Sequence, residues 1–574
     1  MDYLKNRFKK LLKLSSDKEI IACSSLMGMS AFIGLAVSLA VVAFVKLHTI
    51  ISDSASIIIL KFEYSAIFIP VLGLALSYLI VYYLAETRDT GCGTHELLEV
   101  YHFESGLIPE RDTMAKPIAS ALTIGLKGSA GLEGPSLLLG GGIASFIWKK
   151  LSLRSGELRQ YLLAGAAAGL SAVFKAPLTG VLFALEIPYQ QDLAKEALIP
   201  ATIASIVAYF TSINFLGFER IFPIISGIVI PSYSMLLHSI VLGLIAAVLG
   251  ILFVIVNEGL KRLNGKLWFK PFSSIFLGGL LIGFIGFICP QVLGLGYGTI
   301  EGLINGRFFN ASILFILSII LLKILTTSIT LNMGGSGGLF VPSIYVGAAL
   351  GALYSKCVLN TPNEIIVMAA MAALIASTNK TMLASIAFVA ETTGPSSIIT
   401  TMIAASVAYF ISGRFSFFKD VQPQRRLVEE EKAINILYHT VIKKGRLDYL
   451  KSIKVSQIMT KDPVVLQEMM SIGEAISIIK SHNYRIYPVV SSIGVLLGHV
   501  EIDEILKIPE EKRNMTVGIL PLRKPLIVTE EEDVSKIFIE MIEQGMDHVY
   551  VVSDYSTMKL KGVVAEIDLM KRII

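Results

Sequence analysis

Three glycine-rich turns stand out in this sequence: Gly91-Cys-Gly-Thr-His95, Gly131-Leu-Glu-Gly-Pro135 and Gly338-Leu-Phe-Val-Pro342. Where such a turn opens a helix, the first backbone N–H groups lack intrahelical partners and the positive end of the helix dipole lies at the same point. The result is an anion site that needs no cationic side chain. Partial charges hold an anion more loosely than a buried lysine or arginine would, so the pattern suits passage rather than storage. Pro135 and Pro342 are expected at a first helical position, which suits their missing N–H. Glu133 stands at one of these inferred helix starts, where its carboxylate can take the anion's own place. Protonation would free that place, so Glu133 reads as a gate and proton acceptor. The competing reading is an ordinary first-turn acid. Lys127, among Gly125, Gly128 and Gly131, reads either as a vestibule cation or as a lysine reaching for the interface.

The elements that carry these turns are written in the composition. Of 574 residues, 53% are hydrophobic and 17% charged, against about 25% charged in soluble domains; mean hydropathy is +0.68. Disorder, a disulfide scaffold and an ordinary soluble enzyme are excluded, and a polytopic membrane protein in the lipid bilayer is expected. Cys23, Cys92, Cys289 and Cys357 show no ligand spacing. No nucleophile–base pair or metal cluster is visible, so neither an enzyme nor a required cofactor is expected. A net charge of +5 gives no reason to expect nucleic acid.

Basic residues before the uncharged run Ile20–Val45 place the N terminus in the cytoplasm of a cell-membrane protein. Residues 1–19, with Phe8, Leu11, Leu12 and Leu14, read as an amphipathic segment on the inner leaflet. Further uncharged runs cover Tyr64–Ala85, Ala197–Phe218, Ile221–Asn257 (His238 apart), Phe272–Ile300, Ile324–Ser355 and Thr392–Gly413. Shorter apolar pieces punctuated by Gly, Pro and Lys lie between them: Ser136–Trp148, Gln160–Phe174, Ala176–Leu185 and Met382–Ala390. Irregular backbone at membrane depth needs protein or a cavity around it, so these pieces read as broken helices meeting at a midplane site. The organisation expected is a membrane body over 20–414, a charged linker over 415–452, and a cytoplasmic α/β tail over 453–510 and 511–574.

Both layers repeat. Gly-Leu-Glu-Gly-Pro-Ser at 131–136 is echoed at 338–343, and Lys175–Glu186 aligns with Lys380–Glu391, each about 205 residues on. In the tail, Arg485-Ile-Tyr-Pro-Val-Val is echoed by His548-Val-Tyr-Val-Val, which predicts tandem units of strands and helices.

At these residues the chain resembles the CLC family of chloride channels and proton-coupled anion transporters. The stretch Thr123–Pro135 is similar to the family's external-glutamate motif, and Phe174–Phe183 and Gly338–Pro342 resemble two further motifs in family order. The tail resembles a tandem pair of CBS domains. The resemblance implies a mainly α, duplicated, inverted-repeat body of broken helices with an α/β CBS pair. It further implies a homodimer with one pore per subunit, chloride or a related small anion and protons as the species handled, and adenine nucleotide as a ligand of the tail. Glu133 matches the gating glutamate; Cys92, Gly93, Gly131, Gly134, Gly338, Leu339 and Phe340 match the anion-binding set.

Several positions depart from the family pattern. Cys92 stands for a pore serine, and its thiol is a weaker donor than a hydroxyl. His95 stands for proline, Leu132 for a basic residue, and Phe418 (or Phe417) for a pore tyrosine. Ile187, after Glu186, stands where exchangers carry an inner proton-accepting glutamate. That substitution tilts the reading towards a gated channel or weakly coupled transporter. A proton/chloride antiporter with a non-standard inner proton route stays open. A CBS-bearing divalent-cation transporter would need acids within the spans, where almost none occur. Glu186 and Glu391 read as structural helix-end acids. In the tail, Asp568 and its counterpart Glu504 match the ribose-holding position, with Ala565 in place of a Ser or Thr.

Overall fold

The structure is a computed structural model that describes residues 17–104, 106–151, 158–222, 232–266, 272–394, 397–425, 441 and 447–573, apart from 483, 485, 507, 545 and 547. The expected segment at 1–19 therefore falls largely outside the described residues, as does much of the linker. The chain divides into two compact units, Met1–Arg426 and Leu427–Ile574.

In the first unit, the described residues of the first half form α1 (Asp17–Lys61), α2 (Ser65–Leu84), α3 (Gly93–Phe103), α4 (Glu110–Gly125), α5 (Glu133–Lys150), α6 (Leu158–Phe174), α7 (Pro177–Glu186) and α8 (Leu198–Leu216). The second half answers in the same order with α9 (Tyr233–Lys266), α10 (Phe272–Ile288), α11 (Tyr297–Ile304), α12 (Ile313–Asn332), α13 (Phe340–Tyr354), α14 (Glu364–Asn379), α15 (Met382–Thr392) and α16 (Ile398–Ile411). Packing is duplicated as well: α5 lies on α6 as α13 lies on α14, and α6 lies on α8 as α14 lies on α16. The pairs α2·α10 and α7·α15 join the two halves. Among the described residues six helices are long and apolar enough to cross a membrane; α3, α7, α11 and α15 are far shorter, as the broken-helix reading requires.

Small residues set the close crossings. A Cβ on Gly140 of α5 would stand 2.1 Å from the Gly165 carbonyl oxygen of α6, and one on Gly351 of α13 would stand 2.5 Å from Val367 Cα of α14. Apolar helices in lipid gain little from hydrophobicity against each other, so such backbone approach is what binds them.

Two uncharged runs prove not to be single spans. Phe272–Ile300 breaks after Ile288 at Pro290 and at Gly294 and Gly296, both with positive φ. Ile324–Ser355 breaks between Asn332 and Phe340, and its first helix begins earlier, at Ile313, with Lys323 fully buried inside it. Absence of charge marks burial in an apolar medium; it does not mark where a helix stops. Likewise Ile221–Asn257 is carried by a helix running from Tyr233 to Lys266.

The tail contains β1 (Thr460–Lys461), β2 (Leu466–Gln467), β3 (Ile486–Val490), β4 (Leu496–Glu501), β5 (Ile527–Thr529), β6 (His548–Val552) and β7 (Leu560–Ala565). One sheet runs β2-β3-β4 and the other β1-β7-β6-β5. Each has a parallel pair followed by an antiparallel pair with a register shift at the same place, between Val489 and Val490 and between Val551 and Val552, and the second sheet adds β1 antiparallel to β7. The helix Ile472–Ser481 starts on a capping box, Ser471 with Glu474.

Candidate anion site

The three glycine turns converge on one node. Gly131 and Gly338, equivalent in the two halves, exchange both backbone hydrogen bonds at 2.9 and 2.8 Å. Flanking them, Ser129 N–H donates to Thr330 Oγ1 and Ser336 N–H to Thr123 Oγ1, each at 3.0 Å, a second exchange between equivalent residues. The Cys92 turn joins from the side: Gly337 N–H donates to the Gly91 carbonyl at 3.0 Å, and a Cβ on Gly93 would stand 2.7 Å from the Gly134 carbonyl oxygen. The starts of α3, α5 and α13 therefore meet.

The residues capping these helices are Cys92, Leu132 and Leu339, and none supplies a side-chain cap. A Ser, Thr or Asp there would consume the N–H groups that an anion needs. The helices begin on Glu133 and Phe340, two residues earlier than the prolines suggest. Pro135 and Pro342 occupy the third helical position, still within the first turn, where no intrahelical N–H is lost.

Glu133 is fully buried. Its carboxylate lies across the node, with Oε1 accepting from the Phe340 N–H of α13 at 2.5 Å. Oε2 has no hydrogen-bond partner among the described residues. A Cβ on Gly131 would stand 1.9 Å from Oε2, and one on Gly338 2.0 Å from Oε1, so glycine at both positions makes the seat. The acid thus rests on the helix start of the opposite repeat.

Phe340 anchors the seat from below. Its ring packs on Phe174, Phe183 and Phe388 with centroids 5.6, 5.3 and 5.1 Å away. Phe418 is buried in the turn after α16, its N–H on Ser416 Oγ and its ring beside Phe417. Its hydrogen bond and ring contact hold it in that turn, within the same buried cluster as Leu339 and Phe340.

Glu186 and Glu391 form a reciprocal pair of caps. Glu186, ending α7, accepts from the N–H groups of Leu383 and Ala384 at the start of α15, both at 2.9 Å. Glu391, near the end of α15, accepts from Leu178 and Thr179 N–H at 2.8 and 2.7 Å. Ile187 is buried at the C-cap of α7, and its carbonyl accepts from Gln422 Nε2 at 2.9 Å. Lys127 adopts φ +71° and donates to Ser56 Oγ at 2.7 Å on α1. His238 is a structural residue, bonded to Tyr354 Oη at 2.9 Å.

The sequence reading passed over two further groups. Tyr297 opens α11, the counterpart of α3, follows Gly296 in the left-handed region, and packs its ring edge-on to Phe222 at 5.5 Å. Lys323 Nζ donates to the Val292 and Gly294 carbonyls at 3.1 and 2.9 Å and sits 4.9 Å from the Tyr345 ring centroid. Its counterpart Lys116 is paired with Glu96 at 2.5 Å, whereas Lys323 has no carboxylate partner among the described residues. Comparing the two halves residue by residue would have marked both lysines.

In the tail, Glu504 accepts from Glu501 N–H at 3.2 Å and from Arg523 at 3.0 Å, and Asp568 accepts from Ala565 N–H at 3.1 Å. Both acids hold the backbone three residues upstream.

The family model for the voltage gated chloride channel matches residues 72–413, and the CBS domain model matches 455–511 and 518–574. The chain is 26% identical over 312 residues to the voltage-gated ClC-type chloride channel ClcB of Shigella flexneri, covering 53% of this chain and 72% of that protein. A CLC-type fluoride/proton antiporter is similar in structure with a TM-score of 0.62 and 25% identity, over 71% of this chain and all of the other. A eukaryotic CLC transporter shares the fold at a TM-score of 0.60 and 20% identity, covering 96% of this chain and 98% of that one. With its duplicated body around the glycine node and its paired tail units, this chain is a membrane protein of the CLC (voltage gated chloride channel) family with a tandem CBS pair.

Proposed function

We propose that this protein passes chloride, or a related small anion, through the glycine node, with Glu133 as its proton-sensitive gate. One observation carries the reading: the Glu133 carboxylate rests on the Phe340 N–H at the bare start of α13, the position a mobile anion would take. When Glu133 is charged it competes for that position; when protonated it loses its hold and the anion enters. Apolar Ile187 favours a channel or a weakly coupled transporter. Proton/anion antiport is the second reading, supported by the retained buried acid and by the likeness to a fluoride/proton antiporter. The Cys92 thiol, a softer donor than a hydroxyl, favours chloride over the strongly hydrated fluoride.

In this reading the protein is a homodimer in the cell membrane, with both termini cytoplasmic. Exposed apolar side chains on the faces of α8 and α16, among them Ile199, Phe210 and Ile399, suit a subunit contact within lipid. Adenine nucleotide is the proposed tail ligand, at Asp568 and Glu504, and it would have to displace Arg523 from Glu504. The central test is chloride efflux from proteoliposomes. Efflux that rises in Glu133→Gln and no longer responds to pH supports the gate; unchanged efflux and pH response refute it.

A further inference from the structure

The seat at the node is built from backbone, so its width is set by whatever fixes one helix start against another. Two threonine hydroxyls do this at equivalent places. Thr123, in the last turn of α4, and Thr330, in the last turn of α12, each donate to a carbonyl of their own helix, Ala119 at 3.0 Å and Thr326 at 2.7 Å. Their oxygens are left to accept. Thr330 takes the Ser129 N–H in the loop before α5, and Thr123 takes the Ser336 N–H in the loop before α13, each at 3.0 Å. A second hydroxyl backs each clamp: Ser129 Oγ lies 2.9 Å from Thr327 Oγ1, and Ser336 Oγ accepts from Ser120 Oγ at 2.9 Å. All six residues are buried.

The two clamps differ at one point. Ser336 Oγ also donates to the Gly91 carbonyl at 3.3 Å, and the neighbouring Gly337 N–H donates to the same oxygen at 3.0 Å. At the start of α3, the Gly93 N–H donates in turn to the Gly337 carbonyl at 3.4 Å. Ser336 therefore fixes the starts of α13 and α3 at once. Among the described residues Ser129 makes no such bond to the segment before α11, so its clamp fixes the start of α5 alone.

We propose that Thr123 and Ser336 determine which anions the node accepts, through the spacing they impose between the starts of α3 and α13. This rests on the glycine node being the anion pathway. Both act as positioning residues, since the N–H groups of the seat lie in the helix starts beyond them. Fixed backbone dipoles select among ions by their number and spacing. A backbone hydrogen bond tolerates only about half an ångström of spread in donor–acceptor distance, so two starts held together suit one anion size. A seat freed to widen takes a larger anion at little cost.

The test uses the full chain in proteoliposomes loaded with chloride or with nitrate, a larger and planar anion, and compares their efflux. The wild type is expected to pass chloride several-fold faster. Thr123→Val keeps the side-chain shape but leaves the Ser336 N–H buried without an acceptor, so the loop must shift; the two rates should draw level. Thr330→Val makes the same change at the equivalent position. It should lower the melting temperature by a similar amount yet keep the wild-type ratio of rates. Thr123→Ser retains the hydroxyl and should retain the ratio. Ser336→Ala cuts the link to Gly91 without disturbing the N–H on Thr123, and should reproduce the loss of discrimination even where Thr123→Val fails to fold.

A wild type that does not discriminate would overturn the proposal, as would an unchanged ratio in Thr123→Val or Ser336→Ala. An equal loss in Thr330→Val, or failure of both Thr123→Val and Ser336→Ala to fold, would make the clamp merely structural and overturn it too. In each of these cases efflux that rises in Glu133→Gln leaves the gate standing. A wild type that passes neither anion refutes the proposed function itself.

Discussion

Glu133 and Phe340 are the first residues of α5 and α13, equivalent positions in the two halves, and the carboxylate of one accepts the N–H of the other at 2.5 Å. Duplication has built two bare helix starts facing each other, and a side chain from one is seated on the other. An acid at only one of the two positions makes the node asymmetric in charge.

Removing the charge tests this directly. Glu133→Gln should raise chloride efflux several-fold at neutral pH and abolish its pH dependence. Thermal stability should change by no more than about 1 kcal/mol, because one neutral hydrogen bond replaces one charged one. The measurements are efflux across a pH series and a detergent melting curve.

The seat itself can be probed at Gly131. The three nearest atoms to a Cβ there are Oε2, Cδ and Oε1 of Glu133. Gly131→Ala should therefore unseat the carboxylate and mimic an open gate. Added to Glu133→Ala it should cost almost nothing, because the obstructing atoms are gone. A double-mutant cycle should give a coupling of about 1–3 kcal/mol in stability; simple additivity would mean that the carboxylate rests elsewhere.

Glu186 and Glu391 are expected to govern stability rather than selectivity. Each satisfies two helix-start N–H groups of the opposite half. Replacing either by Ala should cost about 1–3 kcal/mol, read as a lowered melting temperature. Relative permeation of chloride and bromide in the surviving protein should stay unchanged.

The tail should weaken in acid through Glu532. Burial alone would raise its carboxyl, but hydrogen bonds from Lys536 Nζ, Tyr555 Oη and Thr529 outweigh that and hold it at about 2. A folded-state value below the unfolded one contributes stability that is complete above about pH 5 and lost as pH falls towards 2. Hydrogen exchange at β5 in the full chain should accelerate over that window. Glu532→Gln should remove much of the pH dependence and lower protection at neutral pH.

The glycine turns, the duplicated blocks and the change of composition near Arg414 are local properties, so the sequence alone determined the family and the broken-helix body and singled out Glu133 among the acids. The strand His548–Val552 was legible for the same reason, since alternation and β-branching act over a few residues. Tertiary structure decided everything that depends on one half meeting the other. It seated the Glu133 carboxylate on the Phe340 N–H, which only the approach of α13 supplies. It set the reciprocal caps and hid Lys323 in a helix whose charge would argue against a span. Hydrophobic pattern records which surfaces leave water; which polar groups then meet is set by the pairing of backbones far apart in the chain.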